Sequence, residues 1–450
     1  MHHLIRFILS SGPFLLVSAV AVAQTPQNGV DEHGAQLPER MLTLGDAMAR
    51  SLRNNPQLAA VSYQQQAEEA RSDASMDGTP NPEISVSAED FLGNGEARGV
   101  NGMQVTTAIS QEVELGGKLA TRRKVRASTS ELAKMKTGLT RKYILSEVAM
   151  AYLDVLAQQE RLSHAQEMVR LSQKTVETIA TQVEAGRSTG MEQDKATVEL
   201  SLARLRESEA WRELASAKVR LAATCGSDTV FFDNVAGTLN AVSTLPDLDD
   251  ILMKIPSHPE LLAAAAQIRQ QQALADAAHA NRVPNVTFEL GFRWNNGSDN
   301  GSLVAGVGMP IPLLDRNLGN IEGARREVSK ASSVADAQKI MLTKDITIAY
   351  QTLEYELHRL QTLQGKIGPS VVATFNAVEE GYRIGRFGYL DLLDAQRTLF
   401  EVKNMILNAQ VQYQFARILL QRSAGESVSD ALFTRAKKEP PKTSNTRETP

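Results

Sequence analysis

The stretch VAMAYLDVLAQQERLSHAQEMVRLSQKTVETIATQV, Val148 to Val183, places a seam residue at every seventh position without a miss. Val148, Val155, Leu162, Val169, Val176 and Val183 form one seam, and Tyr152, Gln159, Gln166, Gln173 and Ala180 form the other. Seven-residue spacing is that of helices packed side by side along their length. Glutamines on the second seam predict a wall of adjacent helices rather than a dry two-stranded zipper. Running from about Gly117 to Gly186, such a helix is on the order of 100 Å long at about 1.5 Å per residue. No ordinary globular domain needs that length.

The chain is written twice. Val148, Tyr152, Val155, Leu162 and Val169 are answered by Ile346, Tyr350, Leu353, Leu360 and Ile367 at an offset of 198. Asn55-Pro56-Gln57-Leu58 is answered by His258-Pro259-Glu260-Leu261, Pro80-Asn81 by Pro284-Asn285, and Gly186-Arg187 by Gly385-Arg386. A unit of roughly 200 residues is too long for a short-repeat solenoid. Each unit reads helix, strand, strand, very long helix, break, helix. The predicted organisation is a first repeat over 24–230, with strands at about 83–90 and 103–112, and a second over 231–426, with strands at about 285–294 and 302–312.

These strands have the opposite period. Val286, Phe288, Leu290, Phe292 and Trp294 make one apolar face, with Thr287, Glu289, Gly291 and Arg293 between them. Ile84, Val86 and Ala88 alternate with Ser85, Ser87 and Glu89; Val105, Thr107 and Ile109 alternate with Gln104, Thr106 and Ser110; Leu303, Ala305, Val307 and Met309 give the fourth strand. Strands of about ten residues, apolar outward and polar inward, suit a barrel in an outer membrane. A soluble two-sided sheet alternates equally well. Four strands cannot close a barrel, and an open edge is forbidden in lipid. In a membrane, closure therefore requires other copies of the chain: two copies give a filled eight-stranded barrel, three give twelve strands and the beginning of a lumen.

The ends and the composition set the compartment. Arg6, an apolar run through Val20, and Ala21-Val22-Ala23 before Gln24 read as a signal peptide over 1–23, cleaved after Ala23. The single cysteine, Cys225, allows no internal disulfide, so stability must come from packing and assembly. The net charge of −4, or −5 once Arg6 leaves, gives no footprint for a nucleic acid. No later segment is apolar enough for a membrane helix. Residues 427–450 are polar, and from Lys437 proline-rich, which reads as a disordered tail. His33, His164, His258, His279 and His358 are scattered with no ligand spacing, and Gly93-Asn94-Gly95 lies between strands rather than before a helix. Catalytic residues, metal ligands and a cofactor are not expected.

On the signal, the duplicated helix-strand-strand-helix unit and the glycine breaks followed by LDLLDA at Leu390 to Ala395, the chain resembles the TolC-type outer-membrane efflux duct family. The phrases QEVELGGK (Gln111 to Lys118) and PIPLLDRNLGNI (Pro310 to Ile321) resemble its heavy-metal branch, which includes the cobalt-zinc-cadmium and cobalt-nickel exporters. The resemblance implies an α+β membrane protein: a homotrimer with a twelve-stranded barrel in outer-membrane lipid, continued by an α-helical coiled-coil tunnel in the periplasm. It implies as partners a periplasmic adaptor and an inner-membrane pump of the resistance-nodulation-division class. A duct for drugs or small organic compounds would share this architecture, and a periplasmic coiled-coil scaffold would share the heptads but not the strands.

The resemblance also assigns the glycine breaks. Glu184 to Gly190 and Arg383 to Gly388 match the tips that meet the adaptor, with Gly186, Arg187, Ser188 and Thr189 on one and Gly385 and Arg386 on the other. Asp391 and Asp394, three apart and so on one helical face, match aspartates that ring the closed periplasmic aperture; a solvated face is the alternative. Tyr382 and Glu192 match positions that tie helices shut. Phe387 stands where the family has a basic residue, a role Arg386 could take.

Overall fold

A computed structural model describes residues 41–73, 79–95, 98–240 and 245–426. The segments read as export signal and polar tail lie outside the described residues.

In the first half, β1 (Met41–Leu42) leads to α1 (Leu44–Asn54), α2 (Pro56–Asp73), β2 (Glu83–Glu89), β3 (Gln104–Val113), α3 (Lys118–Glu184) and α4 (Gly190–Thr224). In the second, β4 (Asn234–Val235), α5 (Leu248–Met253) and α6 (Pro259–Ala280) precede β5 (Val286–Asn295), β6 (Asn300–Gly308), α7 (Leu318–Thr362), a π-turn (Leu363–Ile367), α8 (Gly368–Arg383) and α9 (Tyr389–Ser423). The Asn-Pro and His-Pro signatures open α2 and α6. Asn55 Oδ1 accepts from Gln57 N at 2.9 Å and His258 Nδ1 accepts from Glu260 N at 3.2 Å. Proline in the first turn costs no hydrogen bond, because that N–H has no intrahelical partner.

The four long strands form one antiparallel sheet in the order β2-β3-β5-β6. Pairing of Gln104 to Val113 against Asn295 back to Val286 joins the two halves. Ile84, Ile109, Leu290 and Ala305 lie in one row across the sheet, and Val86, Thr107, Phe292 and Leu303 in the next. Most of the large apolar side chains in these rows are open to solvent, Leu303 at 81%. Ala108 and Thr106, on the opposite face, are buried, and Arg293 Nε donates to Thr106 Oγ1 at 3.0 Å. β6 leaves the ladder at Gly308, four residues before the expected end, because Pro310 and Pro312 supply no N–H to continue it. Among the described residues no helix is long and apolar enough to cross a membrane.

The helices pack along the predicted seams. Val148, Tyr152 and Val155 sit in a core with Leu42, Leu214, Leu221 and Val235, and the Tyr152 hydroxyl donates to Leu42 O at 2.9 Å. Ile346, Leu353 and Leu360 build the matching core with Ile251, Tyr413 and Leu420. Ile367, read as the next seam residue, is 39% exposed. It lies in the π-turn, and below it the seam resumes at Phe375 and Tyr382. Leu360 to Phe375 is 15 residues, one more than two heptads. The offset between the halves changes accordingly, from 198 at Val169 and Ile367 to 199 at Gly186 and Gly385. The π-turn takes up that one residue.

Candidate gate and docking tips

Both helical hairpins turn by the same chemistry. At the end of α3, Gly186 N donates to Val183 O at 3.0 Å and Arg187 N to Gln182 O at 2.8 Å; at the end of α8, Gly385 N donates to Tyr382 O at 3.0 Å and Arg386 N to Gly381 O at 2.7 Å. These paired bonds satisfy the last helical carbonyls, and they need a left-handed residue between them. Gly186 and Gly385 supply it, with φ of 69° and 79°. Nothing lies within 4 Å of a Cβ added at either glycine, so both turns face open space. Arg187 and Arg386 are exposed beside them.

The next helices start alike. Thr189 Oγ1 accepts from Glu192 N at 3.3 Å while Glu192 Oε2 accepts from Thr189 N at 3.3 Å, a capping box to which Ser188 Oγ also donates. Asp391 Oδ2 accepts from Gly388 N at 2.9 Å, the half of that box a glycine cap allows. Glu192 and Asp391 thus hold equivalent positions, each a carboxylate at a helix N-terminus, where the backbone dipoles favour negative charge. Glu192 is turned onto its own cap; Asp391 and Asp394 are exposed on the first turns of α9.

Tyr382 is buried, and its hydroxyl donates to Gln182 Oε1 at 2.9 Å, tying α8 to α3. Burial pushes its phenol above the ordinary tyrosine range, and the nearby Glu192 charge adds to the effect. Tyr389, two residues before Asp391, is likewise buried, and its phenol is pushed up to about 12 by burial and by Glu199. Both tyrosines pack with Ile179, Ala196, Phe375, Leu392 and Leu399 in an apolar plug that fastens the two tips together. Phe387 lays its ring against the α-carbon of Gly381: a Cβ there would meet Cδ2 and lie 2.6 Å from Cε2.

Three further ties escaped the sequence reading. Gln396 Nε2 donates to Thr175 Oγ1 at 2.8 Å in a buried contact, Lys174 Nζ reaches Glu379 Oε1 at 3.1 Å, and Arg397 pairs with Glu199. Each joins the first half to the second across about 200 residues, a separation no local pattern marks. Among the described residues no group of three His, Cys, Asp or Glu could hold a metal ion.

Two segments of the chain, 47–227 and 255–426, match the family model described as outer membrane efflux protein. The chain is 30% identical over 346 residues to the cobalt-zinc-cadmium resistance protein CzcC of Cupriavidus metallidurans, covering 77% of this chain and 81% of that protein. It is 26% identical over 260 residues to the nickel-cobalt-cadmium resistance protein NccC of Alcaligenes xylosoxydans xylosoxydans, covering 58% and 59%. The crystal structures of CusC superpose with a TM-score of 0.73 at 18% identity, covering 88% of this chain and 98% of that one, a likeness of fold. The duplicated hairpins, the four-stranded sheet and these matches together place the chain in the outer membrane efflux protein family, as a TolC-type channel of the Gram-negative outer membrane.

Proposed function

We propose that the chain is the exit duct of a tripartite efflux system of the resistance-nodulation-division type that exports heavy-metal cations such as cobalt, zinc, cadmium or nickel. The observation that carries the duct is the sheet: one face exposes apolar rows across four strands, while β2 and β6 are edges with no further strand beside them among the described residues. Such edges cannot stay open in lipid. A homotrimer pairs β6 of each copy with β2 of the next and closes twelve strands, with the helices continuing as a tunnel of twelve.

The metal substrate is supported by the likeness to CzcC over three quarters of the chain. Selection belongs upstream, at the pump, and the duct acts by letting ions pass; strong ligation would slow them, since conduction needs sites an ion can leave. In this reading the tips at Gly186 to Thr189 and at Gly385 and Arg386 meet the helices of a periplasmic adaptor. Asp391 and Asp394 ring the aperture, six carboxylates in three copies, and Tyr382 and Glu192 hold it closed. Phe387 takes the place of a basic residue by packing on Gly381, leaving Arg386 as the exposed cation of that turn.

A deletion strain tests the proposal. Loss of the gene should sensitise cells to these divalent metals and raise their accumulation, with both restored by the full chain. Sensitivity to organic compounds with unchanged metal tolerance would assign the duct to drugs, and recovery of the protein as a soluble periplasmic monomer would leave only a scaffold.

A further inference from the structure

The two long helical rods differ at one place. The first, α3, runs without interruption for 67 residues from Lys118 to Glu184, while the second is broken by the π-turn at Leu363–Ile367 between α7 and α8. One residue has been added to the second rod, and the wider turn absorbs it so that Phe375 and Tyr382 keep the seam that Val176 and Val183 hold in the first. Pro369 stands in the first turn of α8. In an unbroken α-helix its ring would clash with the carbonyl of Gly365, and its missing N–H would leave that carbonyl unbonded. Gly365 lies within the π-turn and Gly368 directly follows it, adding backbone freedom where the ladder is already weakened. Sharp bends and π-turns in helices arise from such causes, and they often mark working parts.

The side-chain ties divide at this level. At the level of the π-turn Lys403 bonds Glu167 at 2.7 and 2.8 Å, and above it Arg161 bonds Asn408 at 3.0 Å. Below it lie the ties of the tip: Lys174 to Glu379, Thr175 to Gln396, Gln182 to Tyr382 and Glu199 to Arg397. All four connect α8 or the start of α9 to α3 or α4. Of these ties only Thr175 with Gln396 is buried on both sides. At the break itself, a Cβ on Gly368 would lie 3.1 Å from Ile406 Cδ1, so α8 runs close against α9 there and the two are placed to move as a pair.

We infer that the π-turn at Leu363–Ile367 is the hinge about which α8 and the first half of α9 swing away from α3 and α4, and that the buried Thr175–Gln396 bond is a principal latch against that swing. The inference rests on the gate reading above and adds where the motion is seated and what holds it. It also accounts for the asymmetry of the chain: the added residue lies in the rod whose tip carries Tyr382, Asp391 and Asp394, and the uninterrupted rod is the fixed frame.

The test uses the full-length trimer in lipid nanodiscs and planar bilayers. Hydrogen exchange compares amides 363–368 with 165–169, their counterparts in α3. The hinge predicts exchange about tenfold faster in 363–368, the equivalent of about one net backbone bond. Deleting Gly365 together with Pro369→Ala, which restores an α-helix without changing the phase of Tyr382, should abolish the difference. Equal protection of both segments in the wild type overturns the hinge. In bilayers, Gln396→Leu should raise conductance severalfold, and the same change in the straightened helix should not. Conductance that rises equally in both backgrounds also overturns the hinge. Fast exchange at 363–368 with wild-type conductance in Gln396→Leu, Tyr382→Phe and their combination supports the hinge and rejects the gate reading instead.

Discussion

The hydroxyl of Tyr382 donates to Gln182 Oε1 at 2.9 Å, so the last turn of α8 is fastened to the last turn of α3 by residues 200 positions apart. The same phenol is 7% exposed within the apolar plug of the tips. A bond of this kind contributes about 0.5–1.5 kcal/mol net. Tyr382→Phe keeps the ring and removes the bond. It should leave the trimer folded and raise single-channel conductance, shifting the open fraction by roughly two- to tenfold per protomer. A conductance equal to wild type would remove Tyr382 from the closure.

Alkaline pH should loosen the plug. The Tyr389 and Tyr152 phenols are pushed from 10 up to about 12, in both cases chiefly by burial. A folded pKa above the unfolded one means the unfolded chain gives up its proton first. The stability held by the buried neutral phenols is complete below pH 10 and falls as pH rises from there toward 12. Tyrosinate absorbance should therefore show a late-titrating class, with Tm falling over the same interval. Tyr389→Phe should flatten that fall. An ordinary titration of all tyrosines near pH 10 would contradict the burial.

The tips should be sensitive to backbone shape rather than to bulk. Gly186→Val and Gly385→Val meet no neighbour, yet each forces a branched residue to a φ near +70 to +80°, at a cost of about 1–3 kcal/mol. The trimer should still assemble, while metal resistance and crosslinking to the adaptor are lost. Full resistance and crosslinking in both variants would take adaptor docking away from these turns.

Gly381 and Phe387 make a separate case. Gly381→Ala places a methyl into the Phe387 ring, so the ring must leave its seat. The variant should expose Phe387 and weaken the second tip, whereas Gly381→Ala combined with Phe387→Ala should recover most of the loss. The readout is protease nicking between Arg383 and Gly388, and equal nicking in the single and double variants would deny the contact its role.

Much of this architecture was legible in the residues. Heptads at Val148 to Val183 and glycines at 186 and 385 place the rods and their turns, and alternation about Phe288 to Trp294 places the strands. Pairing was not legible, because the partners of Tyr382 and Gln396 are set by how two rods lie together rather than by anything near them in the chain. Two signals were present but carried a second meaning. Thr189-Gly190-Met191-Glu192 is a capping box, so Glu192 has a local task at its own helix end. The change of offset from 198 to 199 is an added residue, which the long helix absorbs as a π-turn rather than as a shift of register. The early exit of β6 follows from its prolines, which end the ladder before the apolar alternation ends.

The claim that this is a gated cation path is tested most directly by divalent block of single channels in planar bilayers. Asp391 and Asp394 are exposed on one face of α9, and asparagine at 391 can still accept from Gly388 N, so Asp391→Asn with Asp394→Asn removes charge while preserving size and the helix cap. Six like charges at one constriction attract divalent cations. Wild-type channels should be cation-selective and blocked by divalent cations added on the periplasmic side, and the double variant should lose both properties at unchanged trimer stability. Wild-type block and selectivity in the double variant would contradict the account and leave Asp391 and Asp394 as an ordinary solvated helix face.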